Sequence, residues 1–340
     1  MIVNHYPGKL FLMGEYAIME SNQPAIIAAV NRTIEASIES SETYYFESKY
    51  GILRGEALFE NKHPMKQVDA AVKAAHQYLD MKKITRHPFS LKLKSNLEED
   101  NIKFGFGSSG VVIVAVIDSI LRFHSVSLTK LELFKLAVIA QHETSDVSSG
   151  GDIAACVYGG VIKYERYDTE WLKNNLSLQN IESDWPKLKI ESLNFDAYEL
   201  AVGWTQKQNI TKSFTDSVRQ QSIVDKQYYV NFLEEAKRAT LSFEEALKRE
   251  NYDLIKKECE TYRDIMKKLG IWAEIDIETE SLSLLINDAI DVGFASKISG
   301  SGGGDCGIAI IEKENPEKMP YLKKKWSKHG ILYLDIKVSD

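Results

Sequence analysis

The sequence predicts an α+β protein in two parts, and three observations predict it. The chain has 340 residues, 44 % of them hydrophobic, which is enough for two domains that each bury a core. Several stretches alternate β-branched and polar residues with the period of a strand. Others place apolar residues on one face at helical spacing.

Residues 9–14, KLFLMG, read as a strand ending in a turn. Residues 31–47 alternate in the manner of paired strands. A helix is expected over 68–79, and an apolar one over 111–121 running on to about His124. Thr129 and Glu132 have the spacing of a capping box, so another helix starts there and continues to about Glu143. A small-residue loop, SDVSSGGD, covers 145–152, followed by IAACVYGG and the strand VIKYERY. The pattern weakens over 171–194, where Asp184, Trp185 and Pro186 interrupt it. A boundary is expected there, dividing 1–194 from 195–340. The second part opens on a strand at 198–205. One helix then aligns Phe232, Ala236, Ala239, Phe243 and Ala246, and a second aligns Ile255, Cys259, Tyr262, Met266 and Leu269. Both stripes read as core, which makes Cys259 a buried, inert thiol. A further helix stops at Gly293, and a strand, a helix and a strand close the chain.

Composition excludes several classes. Three cysteines, odd in number and without CxxC spacing, indicate neither a zinc site nor a disulfide framework. A reducing cytoplasm fits them best. The N-terminus lacks a basic flank followed by an apolar core, so no signal peptide is expected, and no apolar run has membrane-span length. Net charge is −7 and no basic stripe is interleaved with aromatics, so neither nucleic acid nor membrane is an expected partner. The seven histidines form no i, i+4 pair that would hold a metal. Nothing in the sequence sets an oligomeric state.

The most informative segment is FGFGSSG at 104–110, which opens straight into an apolar helix. A helix start leaves about four amide N–H groups without partners and carries roughly half a positive charge. Gly105, Gly107 and Gly110 allow close approach to those amides, while Ser108 and Ser109 add hydroxyls for a phosphate or a divalent cation. The segment reads as a triphosphate cradle. It is not a Walker loop, because no GK[ST] follows its last glycine.

Four segments share this ligand-site chemistry: PGKLFLMGEY at 7–16, FGFGSSG, SSGGDIAACVYGG at 148–160, and SGSGGGDCG at 299–307. Their order and spacing resemble the three motifs of the GHMP kinases over essentially the whole chain. SSGGDIAACVYGG, the strand AVGWT at 201–205 and GGGDC at 302–306 resemble the phosphomevalonate kinase branch. The chain departs from the pattern at Phe106, where Leu is usual, and at Gly110, where Ala is usual. It departs again at Lys207 and Gln208, in place of a Gly-x-Ala/Pro turn.

The resemblance implies a ribosomal protein S5 domain 2-like N-terminal domain and a ferredoxin-like C-terminal domain, with the active site in the cleft between them. It implies transfer of the ATP γ-phosphoryl to 5-phosphomevalonate, with Mg2+ bridging the β- and γ-phosphates. It places Lys9 as the catalytic lysine and Asp152 as a base or an orienter of that lysine. Asp152 is also readable as a helix N-cap. Lys103, Gly105, Gly107, Ser108, Ser109 and Gly110 are the ATP-binding candidates. Tyr16, Ser148, Ser149, Thr211, Ser213, Ser301 and Gly302 are the acceptor candidates, with Lys207 and Lys212 as further cations. Ser109 and Glu143 are the candidate metal ligands. The alternatives are another GHMP small-molecule kinase, for mevalonate or a sugar, or a nucleotide-binding member without catalysis.

Overall fold

The computed structural model describes residues 1–59, 65–99, 102–144, 148–207 and 211–339, with backbone alone at 99, 102, 103, 211, 212 and 316. Its first sheet has seven strands: β1 (Ile2–Met13), β2 (Pro24–Ser40), β3 (Tyr45–Ser48), β4 (Gly51–Arg54), β5 (Phe89–Ser95), β8 (Val161–Glu165) and β9 (Lys189–Leu193). The order is β4-β3-β5-β2-β8-β9, with β1 on β2. The expected pairing within 31–47 is corrected here. β2 and β3 are not neighbours, because β5 lies between them. Phe89, Leu91 and Leu93 of β5 are buried and supply an apolar face that a direct hairpin would lack. A short hairpin, β6 (Glu98–Glu99) with β7 (Ile102–Lys103), leads into the glycine loop.

β2 organises this half. β1 runs antiparallel along it, while β8 and β5 share it in turn, pairing with 24–28 and 34–40. The stretch between them is covered by the chain's own C-terminus. Asn31 N–H donates to Lys337 O at 3.0 Å, Ser339 N–H to Ala29 O at 3.0 Å, and Gly160 N–H to Ser339 O at 2.7 Å. Helices α1 (Lys66–Met81), α2 (Ser108–Phe123), α3 (Lys130–Glu143) and α4 (Gly151–Tyr158) form the layer over the sheet. Thr129 and Glu132 cap α3 reciprocally, as their spacing predicts. α5 (Thr169–Asn174) starts on the side chain of Asp168.

The second sheet is fully antiparallel in the order β11-β12-β10-β13. Its strands are β10 (Tyr198–Trp204), β11 (Ala295–Ser299), β12 (Cys306–Glu312) and β13 (Leu332–Leu334). In chain order that is 2-3-1-4, the ferredoxin-like arrangement. Helices α6 (Thr211–Val224), α7 (Lys226–Lys248), α8 (Tyr252–Trp272) and α9 (Glu280–Val292) connect β10 to β11, and α10 (Met319–Lys328) connects β12 to β13. The two helical stripes read from the sequence are buried, Cys259 among them, and burial pushes its thiol up. Gly293 ends α9 in the left-handed conformation. Among the described residues no helix is long and apolar enough to cross a membrane.

Candidate active site

Lys9 is set by a fault in a strand. The β1–β2 register slips between Pro7 and Gly8, and Lys9 is the second residue after the slip, opposite Ala29. The lysine grips the glycine loop twice. Its backbone N–H donates to Phe106 O at 3.0 Å and its Nζ donates to Gly105 O at 3.0 Å. The ammonium also lies 5.0 Å from the centre of the Phe11 ring. Lys9 is only 8 % exposed. Burial pulls its pKa down, and the carboxylates of Asp152, Asp305 and Glu15 oppose that in this order of strength.

Asp152 approaches from the other side. It stands in the first turn of α4, whose N-cap is Gly150, so Asp152 does not cap its own helix. It also reaches α2: Gly110 N–H donates to Asp152 Oδ2 at 3.1 Å. Ile153 N–H donates to Oδ1 at 3.0 Å, and Ser148 Oγ lies 3.5 Å from Oδ1. Burial raises the Asp152 pKa, while Lys9 and these amides hold it down.

The loop's glycines are filled in an informative way. A Cβ on Gly107 would lie 2.9 Å from Asp152 Cβ and 3.1 Å from Lys9 Cε. One on Gly110 would lie 2.4 Å from Asp152 Oδ2, and one on Gly105 would lie 3.1 Å from Asp305 Oδ2. The missing side chains therefore make room first for the site's own charges. What remains for an anion is the start of α2, where Gly107 offers no side-chain cap and Ser108 and Ser109 form the first turn.

The acceptor candidates divide. Ser148 Oγ accepts from Gly150 N–H at 3.3 Å and Ser149 Oγ from Gly151 N–H at 3.1 Å, so both hydroxyls shape the turn into α4. Tyr16 donates its hydroxyl to Ser301 O at 2.6 Å, which joins the first motif to the third. Gly302 presses on the chain at Ile277, whose carbonyl oxygen would sit 2.1 Å from an added Cβ. Ser213 lies in α6, exposed. Lys207 is exposed and its Cβ lies 2.9 Å from where a Cβ on Gly304 would be. The side chains of Lys103, Thr211 and Lys212 lie outside what is described.

Glu143, at the end of α3, bonds Lys73 Nζ at 2.7 Å on the surface. Among the described residues no three His, Cys, Asp or Glu side chains cluster as a metal cage. The oxygen donors beside the loop are the hydroxyls of Ser108 and Ser109 and the carboxylates of Asp152 and Asp305. Such hard donors, few in number, suit Mg2+ shared with phosphates and water.

The descriptions of the GHMP kinases N terminal domain and the GHMP kinases C terminal match residues 68–160 and 243–329. The chain belongs to the GHMP kinase family. It is 28 % identical to a Streptomyces phosphomevalonate kinase, over 98 % of this chain and 96 % of that one. Among solved structures it superposes on the Lin0012 protein of Listeria innocua with a TM-score of 0.93, at 32 % identity, covering 99 % and 97 % of the two chains. It superposes on Streptococcus pneumoniae phosphomevalonate kinase in complex with phosphomevalonate and AMPPNP with a TM-score of 0.89. There the identity is 27 %, over 99 % of this chain and 100 % of that one.

Three charged residues of this GHMP kinase stand in or beside the site although motif reading passed them over. Asp305, 7 % exposed, faces Gly105 and Lys9. Its signal was present as an aspartate inside a glycine run. Arg166 donates through Nη2 to Ser148 O at 2.7 Å and through Nη1 to Met19 O, bracing the loop before Asp152. A lone arginine at a strand end carries no such signal. Lys297 is fully buried in β11 and pairs with Glu15, a partner 282 positions away.

Proposed function

We propose that this GHMP kinase phosphorylates 5-phosphomevalonate with ATP, giving 5-diphosphomevalonate and ADP. The observation that carries the kinase reading is the Lys9–Asp152 pair folded against the open start of α2. The acceptor reading rests on the relatives named phosphomevalonate kinase, one of them in complex with phosphomevalonate and AMPPNP.

In the proposed reaction an oxygen of the acceptor phosphate forms a bond to the γ-phosphorus. The bond to the β–γ bridging oxygen breaks and ADP leaves with that electron pair. Lys9 neutralises charge between donor and acceptor. Ser108, Ser109 and the amides at the start of α2 hold the triphosphate, while the loop glycines make room for Lys9, Asp152 and Asp305 beside it. Ser109, among few protein ligands, would hold Mg2+, which would supply charge neutralisation for the triphosphate. Glu143 is the weaker metal candidate, because Lys73 occupies its carboxylate. Tyr16, Ser148, Ser149, Ser301 and Gly302 would line the acceptor side.

A phosphate monoester has a second pKa of about 6, so its attacking oxygen is largely ionised at neutral pH. Asp152 then acts as the electrostatic partner that orients Lys9, with base catalysis secondary. A division of the chain near 194–195 into two domains is part of this reading, since β9 belongs to the first sheet and β10 to the second. The three buried free thiols fit a cytoplasmic location.

The test offers Mg-ATP with 5-phosphomevalonate, mevalonate and sugars, and identifies products by mass spectrometry. Diphosphomevalonate is expected and mevalonate should remain unchanged. Turnover of mevalonate at a comparable rate overturns the acceptor assignment and leaves the kinase assignment standing.

A further inference from the structure

Lys297 is the most deeply buried cation among the described residues, with no exposure, and nothing in the proposed reaction uses it. Its Nζ donates to Glu15 Oε1 and to Ile298 O, the latter at 2.6 Å. Glu15 is 2 % exposed, and its other oxygen, Oε2, has no hydrogen-bond partner among the described residues. A buried ion pair is a weak source of net stability, because desolvating both charges offsets their attraction. The placement of this pair says more. Glu15 ends the segment that carries Lys9, and Lys297 stands in β11, three residues before the Gly300–Gly304 turn that delivers Asp305.

Other contacts join the same two segments. Ser299 Oγ donates to Phe11 O at 2.9 Å and Tyr16 OH donates to Ser301 O at 2.6 Å. From α8, Tyr262 OH donates to Glu15 O at 2.9 Å, and its ring centre lies 5.4 Å from Lys297 Nζ. Tyr16 holds φ 60° and ψ −51°, a conformation costly for a bulky L-residue. Such strain persists only where the surroundings over-determine it.

We propose that Glu15 and Lys297 are positioning residues: their ion pair sets the spacing between the strand of Lys9 and the strand leading to Asp305. A pair of this kind is directional in a way apolar packing is not. An apolar contact tolerates sliding of β1 against β11, whereas a buried charge pair resists it, because separation leaves both charges unsolvated. The inference rests on the kinase reading of Lys9, but not on the identity of the acceptor.

The experiment compares Glu15→Met, Lys297→Met and the double variant in the full chain. Three quantities are read: thermal unfolding, the split between kcat and the two KM values, and hydrogen exchange of segments 8–16 and 295–301. Each single variant strands a buried charge and should unfold well below the wild type. The double variant should regain most of that loss, since apolar replacement of a buried pair is commonly near neutral. It should nevertheless keep a kcat about tenfold or more below wild type, with KM for ATP within about twofold, because small misplacements at a reacting centre are expensive. Its two segments should exchange faster than in the wild type. A double variant with wild-type kcat, or with wild-type exchange in both segments, overturns the proposal. Should the double variant not fold, Lys297→Arg keeps the charge and lengthens the reach. It should fold with reduced kcat, and an unchanged kcat would refute the positioning role. If the wild type proves inert toward 5-phosphomevalonate, the acceptor assignment fails, while the exchange measurement still decides this one.

Discussion

The carboxylate of Asp152 rests on the backbone amide of Gly110, with Oδ2 3.1 Å from that nitrogen. The contact exists because Gly110 has no side chain: a Cβ there would lie 2.4 Å from the same oxygen. It ties α4 to the start of α2, and so ties the residue proposed to orient Lys9 to the 104–110 loop. Gly110→Ala should displace the carboxylate by a few tenths of an ångström or more. The expected result is a kcat about tenfold lower with KM for ATP little changed. Steady-state kinetics check this, and a rise in KM for ATP alone would return Gly110 to a purely nucleotide-binding role.

Lys9→Ala removes the ammonium proposed to act between donor and acceptor and also the bond to Gly105 O. Losing an electrostatic stabiliser of the transition state costs about a hundredfold or more in kcat. The backbone bond from Lys9 N–H to Phe106 O survives the change, so the loop should stay in place. Titration with ATP should therefore give near wild-type affinity. A variant whose kcat stays within about tenfold of wild type would remove Lys9 from the mechanism.

Asp152→Asn separates a base from an orienter. With a phosphate acceptor, the wild-type rate should rise as that phosphate ionises near pH 6. The variant should run slower at every pH and keep the same acidic limb. An acidic limb that vanishes in the variant while a structure shows Lys9 undisturbed would establish Asp152 as a true base.

His76 should give stability a dependence on pH. It is buried beside Phe59, Tyr44 and Phe89, with ring centres 5.2, 5.8 and 6.2 Å away. Burial, with Arg86 nearby, pulls its pKa down from 6.5 to about 4. Between those values the unfolded chain binds the proton and the folded chain does not, so stability is complete above pH 6.5 and falls as pH drops toward 4. A shift of that size corresponds to about 3 kcal/mol lost by the acid end. His76→Leu should flatten thermal stability against pH over this window. An unchanged slope would assign the acid sensitivity to other groups.

The sequence by itself determined the family, the order of the motifs and much of the secondary structure. The capping box at Thr129 and Glu132, the stop at Gly293 and the two buried stripes of α7 and α8 are legible because their signals are local. They depend on residues within a turn or two of one another. Lys9, Asp152 and the 104–110 loop stood out as candidates for a related reason, since each sits inside a compact run of residue types suited to phosphate chemistry, and the structure brings them together. The pairing of β2 with β5 was not legible, because strand partners are chosen by faces that meet only after the chain has folded. The contact of Asp152 with Gly110, the approach of Asp305 to Gly105 and the Glu15–Lys297 pair likewise span 42, 200 and 282 positions. Only tertiary packing decides contacts of that kind. A lone buried charge leaves no periodic trace in the sequence, and its partner is fixed by the shape of the cleft where both must give up water together.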